Sequence, residues 1–195
     1  MVVLATGMVG VLLGTLASYV RRLDGVVMRL LDGMMAFPGV LLAIALAAAL
    51  GPAASTVIVA LTVTFVPRTA RVVRAAVLVV QAQQYVEAAR AVGAGHMRIV
   101  LRYILANALS PMIVQLTYVF AVSIIAEAIL SFLGVGPPPP APSLGNIIAE
   151  GRTTIQEAWW IAVFPGIVLA VAVLGLNLMG DGLRDVIDPR HHDSR

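Results

Sequence analysis

The residues whose types and spacing suggest a function lie between positions 87 and 98. Charged side chains alternate there with alanine and glycine, whose small size allows another surface to approach closely, while the charges can fix its orientation. The pattern predicts a docking surface for a partner protein, although an ordinary surface helix with an alanine-rich face fits it as well. The candidate residues are Glu87, Ala88, Ala89, Arg90, Gly93, His96 and Arg98.

Histidine is the only residue type here that could suggest a transition-metal site. His96 lies in the candidate docking segment, whereas His191 and His192 are adjacent near the C-terminus. Such spacing does not supply the convergent geometry that a metal requires, and the absence of cysteine excludes a thiolate site. We therefore predict no metal and no cofactor, and we expect His96 to be a contact residue of this loop.

Catalytic chemistry is not predicted either. The chain contains no lysine, so it cannot carry the glycine-rich loop followed by lysine that cradles nucleotide phosphates. No serine or carboxylate set that would face water is apparent, so we predict no catalytic residue. The chain is expected not to be an enzyme and not to hydrolyse ATP.

The composition is that of a membrane protein. Hydrophobic residues make up 60% of the 195-residue chain and charged residues 12%, with a mean hydropathy of +0.97. Uncharged stretches long enough to cross a bilayer cover residues 1–20, 103–126 (continuing towards residue 133) and 158–180. Residues 34–66 are interrupted by Gly51-Pro52, which predicts two helices folded as a hairpin, the second ending at Pro67 and Arg68. We therefore expect an all-α, polytopic fold with about five transmembrane helices.

The segments between these spans predict the topology. Residues 21–32 form a charged loop, residues 68–102 a water-facing amphipathic segment, residues 134–157 a proline-rich loop, and residues 181–195 a charged tail. If the loops alternate sides, twelve arginines lie on one side and only Arg152 on the other. This positive-inside bias predicts that residues 68–102 and the C-terminus are cytoplasmic and that the proline-rich loop is external. The N-terminus would then begin outside, which suggests that a preceding helix is missing.

Three polar residues within the predicted spans are candidates for lining a pore. Glu127 is the strongest, because a carboxylate at membrane depth is costly and is often functional. Gln115 and Tyr118 share a helix face at a spacing of three. Hydrogen bonds between helices are the alternative for Gln115 and Tyr118, and contact with water is the alternative for Glu127.

The docking segment resembles a known motif. Glu87-Ala88-Ala89, then Gly93 after three residues, then Tyr103-Ile104-Leu105-Ala106 after nine more, is similar to the EAA loop of ABC import permeases. In that family the last four positions are isoleucine, any residue, leucine and proline, so Tyr103 and Ala106 depart from the pattern. The resemblance implies a short coupling helix that docks in a cleft of an ATPase subunit and transmits its movements to the membrane helices.

The resemblance extends over residues 1–190 and favours the branch that imports dipeptides, oligopeptides, nickel and similar solutes. The similar stretches are residues 28–38, 107–111, 126–134, 142–145, 150–152 and 177–190. The resemblance implies a type I ABC importer transmembrane domain, the MetI-like fold, in the bacterial cytoplasmic membrane, with residues 191–195 as a cytoplasmic tail. Family members carry a further N-terminal helix, so the chain is expected to lack its first transmembrane helix.

The resemblance also implies partners. These are a second permease subunit, two ABC ATPase subunits that hydrolyse ATP, an extracytoplasmic solute-binding protein facing the loop 134–157, and the lipid bilayer, with no nucleic acid. Two alternatives remain at this point: an ion-coupled secondary transporter, for which Glu127 is the only support, and a fragment that assembles with its partners but is inactive.

Overall fold

The computed structural model describes residues 1–138 and 140–187, and within those ranges the chain is helical with no β-strand. The predicted all-α class is therefore confirmed. The helices are α1 (Val2–Tyr19), α2 (Arg21–Met35), α3 (Gly39–Leu50), α4 (Ala54–Gln81), α5 (Gln84–Ala91), α6 (His96–Arg98), a π-helix (Ile99–Leu105), α7 (Leu109–Phe132), α8 (Leu144–Gly151) and α9 (Trp160–Ile187).

Four of these helices, α1, α4, α7 and α9, are long and apolar enough to cross a membrane. Helices α2 and α3 together also meet that criterion, with a bend of 89° between them, which raises the number to as many as five. The count agrees with the five spans predicted from the uncharged stretches. Helix α9 extends seven residues beyond the predicted end at Gly180.

Helix α4 differs from the prediction that the hairpin helix ends at Pro67 and Arg68, because it continues to Gln81. A proline within a helix removes one backbone hydrogen bond, which normally bends or ends the helix. Here Val73 and Val77 are fully buried against the rest of the protein. Burial of that face favours a continuous helix, so residues 68–81 belong to α4 and the connecting segment begins only after Gln81.

Helix α2 occupies the stretch predicted as a charged loop, and that prediction is wrong. Leu31 is buried against Val66 and Ala70 of α4, while Val27 and Met28 pack beside it. The charged residues of α2 lie between these apolar positions in the sequence, so the segment is an amphipathic helix whose apolar stripe is buried.

Helices α1 and α4 run parallel and in close contact. A β-carbon added at Gly10 would lie 2.7 Å from Cγ2 of Thr69, and one added at Gly14 would lie 2.8 Å from Cβ of Val73. Glycines spaced by four residues allow two membrane helices to approach in this way. Helix α7 is antiparallel to α4 and packs against it, and Leu130 and Leu61 share one apolar cluster.

The proline-rich loop 134–157 contains the helix α8, which was not predicted. The Ser143 hydroxyl caps it by accepting a hydrogen bond of 3.1 Å from the amide of Asn146, and the Asn146 side chain donates to the carbonyl of Pro137 at 3.2 Å. Gly145 lies so close to α7 that an added β-carbon would come within 2.7 Å of Cβ of Ser131. The loop is therefore packed against the helices that it joins.

Candidate coupling site

Helix α5 presents one face of the candidate docking segment. Val86 and Ala89 are buried, whereas Glu87, Ala88 and Arg90 are exposed. This difference follows from helical periodicity, since positions 86 and 89 face the same side. Ala89 was predicted to belong to the docking surface, but its side chain is only 6% exposed and packs inwards. The surface of α5 available to a partner is therefore that of Glu87, Ala88 and Arg90.

Gly93 ends α5 in a backbone conformation that favours glycine. Its φ is +79°, in the left-handed region. The amide of Gly93 donates to the carbonyl of Arg90 and the amide of Ala94 donates to that of Ala89, both at 3.0 Å. These two bonds form a Schellman motif, which satisfies carbonyls at the end of a helix. Glycine suits this position of the EAA pattern because the turn requires a left-handed backbone conformation.

His96 begins α6 and connects the segment to the end of α1. Its Nδ1 atom lies 2.6 Å from the hydroxyl of Tyr19, and the two rings meet edge to face with 5.9 Å between their centroids. Within the described residues, His96 thus contacts a membrane helix. Arg98 is exposed and is followed directly by the π-helix Ile99–Leu105, which leads towards α7.

The charges of this segment are not paired with one another. Within residues 1–138 and 140–187, neither Glu87 nor Arg90 nor Arg98 forms an ion pair. Because a charged group that is exposed and unpaired remains available, each can interact with a partner of opposite charge. We call Glu87, Ala88, Arg90, Gly93, His96 and Arg98, which are all exposed, the coupling surface.

The ion pairs lie instead between α2 and α4. Asp24 accepts two hydrogen bonds from Arg74, each of 2.6 Å, and Asp32 pairs with Arg71. The bidentate contact with the Arg74 guanidinium holds the pKa of the Asp24 carboxyl below its ordinary value. These ion pairs hold α2 against the second half of α4.

The three candidate pore residues lie on α7 but are not brought together. The buried Gln115 side chain donates to Oγ1 of Thr69 at 3.4 Å, and the hydroxyl of Tyr118 accepts from Arg68 at 2.8 Å. Glu127 is half-buried and accepts a hydrogen bond of 2.6 Å from Ser131, one turn further along the same helix. Gln115 and Tyr118 thus form the hydrogen bonds between helices that were the alternative for them.

Sequence reasoning missed several residues that the structure brings to these sites. Tyr19 was treated only as part of a span, and Arg68 only as a helix end. The close contact at Gly10 and Gly14 could have been predicted, because two glycines spaced by four residues in an apolar helix are typical of tight helix packing. The described part of the chain contains no group of three or more metal-ligating side chains.

The fold is that of an ABC importer transmembrane subunit. A chain of the methionine ABC transporter MetNI, in its inward-facing conformation, superposes with a TM-score of 0.73, covering 96% of this chain and 91% of that one at 22% sequence identity. Residues 7–193 match the family described as binding-protein-dependent transport system inner membrane component. The chain belongs to this family of ABC transport permeases, and it is a membrane protein with several spanning helices.

Two relatives illustrate the family. A protein of Brucella suis biovar 1, named provisionally as a peptide transport system permease, is 52% identical over 189 residues, which cover 97% of this chain and 64% of that protein. The di/tripeptide transport system permease protein DppC of Pseudomonas aeruginosa is 42% identical over 182 residues, covering 93% of this chain and 60% of DppC. The chain therefore spans less than two thirds of the length of these relatives.

Proposed function

We propose that this chain is the membrane-spanning permease subunit of an ATP-driven importer and that it moves peptides across the cytoplasmic membrane by alternating access. The observation that carries the proposal is the coupling surface, an exposed and unpaired set of charges beside a Schellman turn at Gly93. Family membership supports the class of transporter, and the names of the two relatives support peptides as the solute.

The coupling surface is suited to contact with an ATPase subunit. Helix α5 presents Glu87, Ala88 and Arg90 on its open face and is anchored by buried Val86 and Ala89 on the other. A short helix held in this way can transmit a push from a partner to the rest of the protein. ATP hydrolysis belongs, in this proposal, to two separate ATPase subunits, and the chain itself is not an enzyme.

We assign the remaining partners according to the end of the molecule that each would face. We assign the end that carries the coupling surface to the cytoplasm, together with the C-terminus. All described arginines except Arg152 lie on α2, on the second half of α4, in or beside the coupling segment, or near the end of α9, as the positive-inside rule requires. The opposite end, with α8 and its proline-rich loop, would face a solute-binding protein, and a second permease subunit would complete the pathway.

An ion-coupled secondary transporter is not favoured by the structure. That alternative depended on Glu127 as a coupling-ion site. The Glu127 carboxylate is instead engaged by the Ser131 hydroxyl at 2.6 Å on its own helix. Family membership also points to a transporter driven by ATPase subunits.

Copurification tests the proposal. The tagged chain is expressed with a candidate second permease and candidate ABC ATPase subunits from the same genome, and the ATPase retained after membrane extraction is measured. Glu87→Arg should lower retention at least about tenfold, because it reverses a charge at the centre of the interface. Arg22→Glu is the matched control, since Arg22 is exposed on α2 and lies outside the coupling surface.

A second pair of variants tests whether the backbone conformation at Gly93 is needed for ATPase binding. Gly93→Ala should weaken retention because an L-residue at φ +79° costs about 1–2 kcal/mol. Gly95→Ala should not, since Gly95 has φ −64° and an added β-carbon there meets no atom within 4 Å. If the wild-type chain inserts into the membrane but retains no ATPase, the proposed function is wrong. If all four variants behave alike, the coupling surface is wrongly assigned.

A further inference from the structure

Three arginines recur along α4 at every third position, and one of them differs from the others. Arg71 pairs with Asp32 and Arg74 pairs with Asp24, so both are neutralised by the carboxylates of α2. Arg68, the first of the three, has no carboxylate within ion-pair distance among residues 1–138 and 140–187. It is the arginine of this series whose charge is left available.

The contact that Arg68 does make fixes its orientation and leaves most of its donors free. One terminal nitrogen donates to the hydroxyl of Tyr118 at 2.8 Å, and the guanidinium carbon lies 4.4 Å from the centroid of the Tyr118 ring. A guanidinium group has five N–H donors in a planar fork, which matches the geometry of a carboxylate. Tyr118 accepts from one of these donors, so Arg68 can still form a bidentate contact with an anion.

Arg68 lies near the middle of α4 and not at its end. Helix α4 begins at Ala54, so Arg68 is about 21 Å along the helix at 1.5 Å per residue. The hydrocarbon core of a bilayer is about 30 Å thick. A charged side chain on a helix long enough to span the membrane commonly faces the interior of the protein or water, where it can mark the route of a solute.

A cavity of about 430 Å³ opens beside this arginine, between α2, α3, α4 and α7. Its volume falls within the range of small-molecule sites. Arg68, Tyr118 and Thr64 are its polar lining residues, and the rest of the wall is apolar, including Met34 and Met35. Methionine side chains are flexible and polarisable, so they adapt to ligands of different shape.

We propose that Arg68, oriented by Tyr118, binds the C-terminal carboxylate of the transported peptide within this cavity. The inference rests on the proposed function and adds the chemical group that the permease itself recognises. One carboxylate is common to all linear peptides with a free C-terminus, whereas the side chains vary. A fixed cation beside an adaptable apolar wall therefore suits a transporter that accepts many peptides.

The test compares a tripeptide with its C-terminal amide in vesicles that contain the complete transporter. The affinity of the solute-binding protein for each peptide is measured first, and uptake is then compared at concentrations that saturate it. Arg68→Gln should lower uptake of the free acid at least about tenfold, as expected for the loss of a hydrogen-bonded charge. Uptake of the amide should stay within about twofold of wild type, since it lacks the charge that Arg68 binds.

Further variants separate recognition from structure. Arg68→Lys should retain part of the preference for the free acid, because the charge remains without the planar fork. Tyr118→Phe should lower uptake of the acid by only about threefold, through loss of one hydrogen bond. Arg29→Gln is the matched control, since Arg29 is an exposed arginine of α2 outside the cavity.

Each result either supports or overturns the inference. If Arg68→Gln lowers uptake of both peptides equally, Arg68 serves the fold or pairs with a carboxylate of the second permease, and the inference is wrong. Unchanged uptake of both peptides would equally overturn it. If the wild-type complex imports neither peptide, the proposal that the solute is a peptide fails as well. If it imports them and only the Arg68 result is negative, the carboxylate site alone is wrong.

Discussion

The Tyr19 hydroxyl and the His96 ring join two parts of the molecule that are 77 residues apart in sequence, with 2.6 Å between the oxygen and Nδ1. Tyr19 is the last residue of α1 and His96 the first residue of α6. A displacement of the coupling surface therefore reaches a membrane helix through a direct contact, in addition to the covalent path through the π-helix and α7.

The Tyr19–His96 contact should protect the start of α6. Tyr19→Phe keeps the edge-to-face contact of the rings but removes the hydrogen bond, which contributes about 0.5–1.5 kcal/mol. We expect faster hydrogen exchange at the amide of Ile99, which donates to the carbonyl of Gly95 at 3.0 Å, measured by mass spectrometry. Tyr85→Phe is the control, because Tyr85 is exposed and its hydroxyl has no hydrogen-bond partner among the described residues. Equal exchange in Tyr19→Phe and wild type would contradict the contact.

Close packing of α1 on α4 should make Gly14 intolerant of any side chain. The added methyl group of Gly14→Ala would lie 2.5 Å from the carbonyl oxygen of Ala70 and 2.8 Å from Cβ of Val73. Such overpacking destabilises by about 1–3 kcal/mol, and thermal unfolding in detergent should show a lower midpoint. Gly25→Ala is the control, since an added β-carbon there meets no atom within 4 Å. Alanine favours a helix over glycine, so this control should be neutral or slightly stabilising.

The bidentate pair between Asp24 and Arg74 should hold α2 more firmly than the pair between Asp32 and Arg71. The side chains of the first pair are 30–31% exposed and those of the second 51–55%. We expect Asp24→Asn to destabilise by about 0.5–1 kcal/mol and Asp32→Asn by less, because exposed ion pairs contribute little. Proteolysis of the α1–α2 junction gives the measurement. A larger effect of Asp32→Asn would refute the ranking.

The same pair predicts a pH dependence. Arg74 lowers the pKa of Asp24, so its stabilisation is present in full well above the ordinary pKa of 3.8. The contribution is lost as the pH falls from there through the lowered pKa, because the carboxylate becomes protonated. The difference in stability between wild type and Asp24→Asn should therefore shrink on acidification below about pH 4. A constant difference down to pH 2 would contradict the ion pair.

Glu127 should be replaceable by glutamine. The amide oxygen of Glu127→Gln can accept the Ser131 hydrogen bond that the carboxylate accepts at 2.6 Å. ATP-driven uptake should therefore stay within about twofold of wild type, whereas Ser131→Ala should lower stability by leaving the half-buried carboxylate without its partner. Loss of uptake in Glu127→Gln, with normal assembly, would restore the carboxylate as a pathway residue.

The apolar stretches predicted the spanning helices because the thickness of the bilayer fixes how many uncharged residues a span needs. This rule does not say where a helix ends, because a helix can continue beyond the bilayer. Charge at Arg68 marked the expected end of a span, but a buried face at Val73 and Val77 continues the helix. In residues 21–32 the density of charge concealed an apolar stripe that centres on Leu31.

The coupling segment could be found from the sequence, but its geometry could only partly be predicted. The spacing of Val86 and Ala89 predicts one shared face, so the burial of Ala89 was within reach of a periodicity argument. The contact between His96 and Tyr19 was not, since residues 77 positions apart leave no local signal of their proximity. The same holds for Arg68 and Tyr118, whose pairing depends on how α4 and α7 are placed.

The close contact of α1 with α4 has a mechanical consequence. Helices α1 and α4 approach each other so closely at Gly10 and Gly14 that little space is left between them, and we expect them to move together. The 89° bend between α2 and α3, the turn at Gly51 and the π-helix all lie outside this pair of helices. Arg68 lies on α4. If Arg68 binds the peptide carboxylate as proposed, a movement of this pair of helices would therefore carry the carboxylate with it.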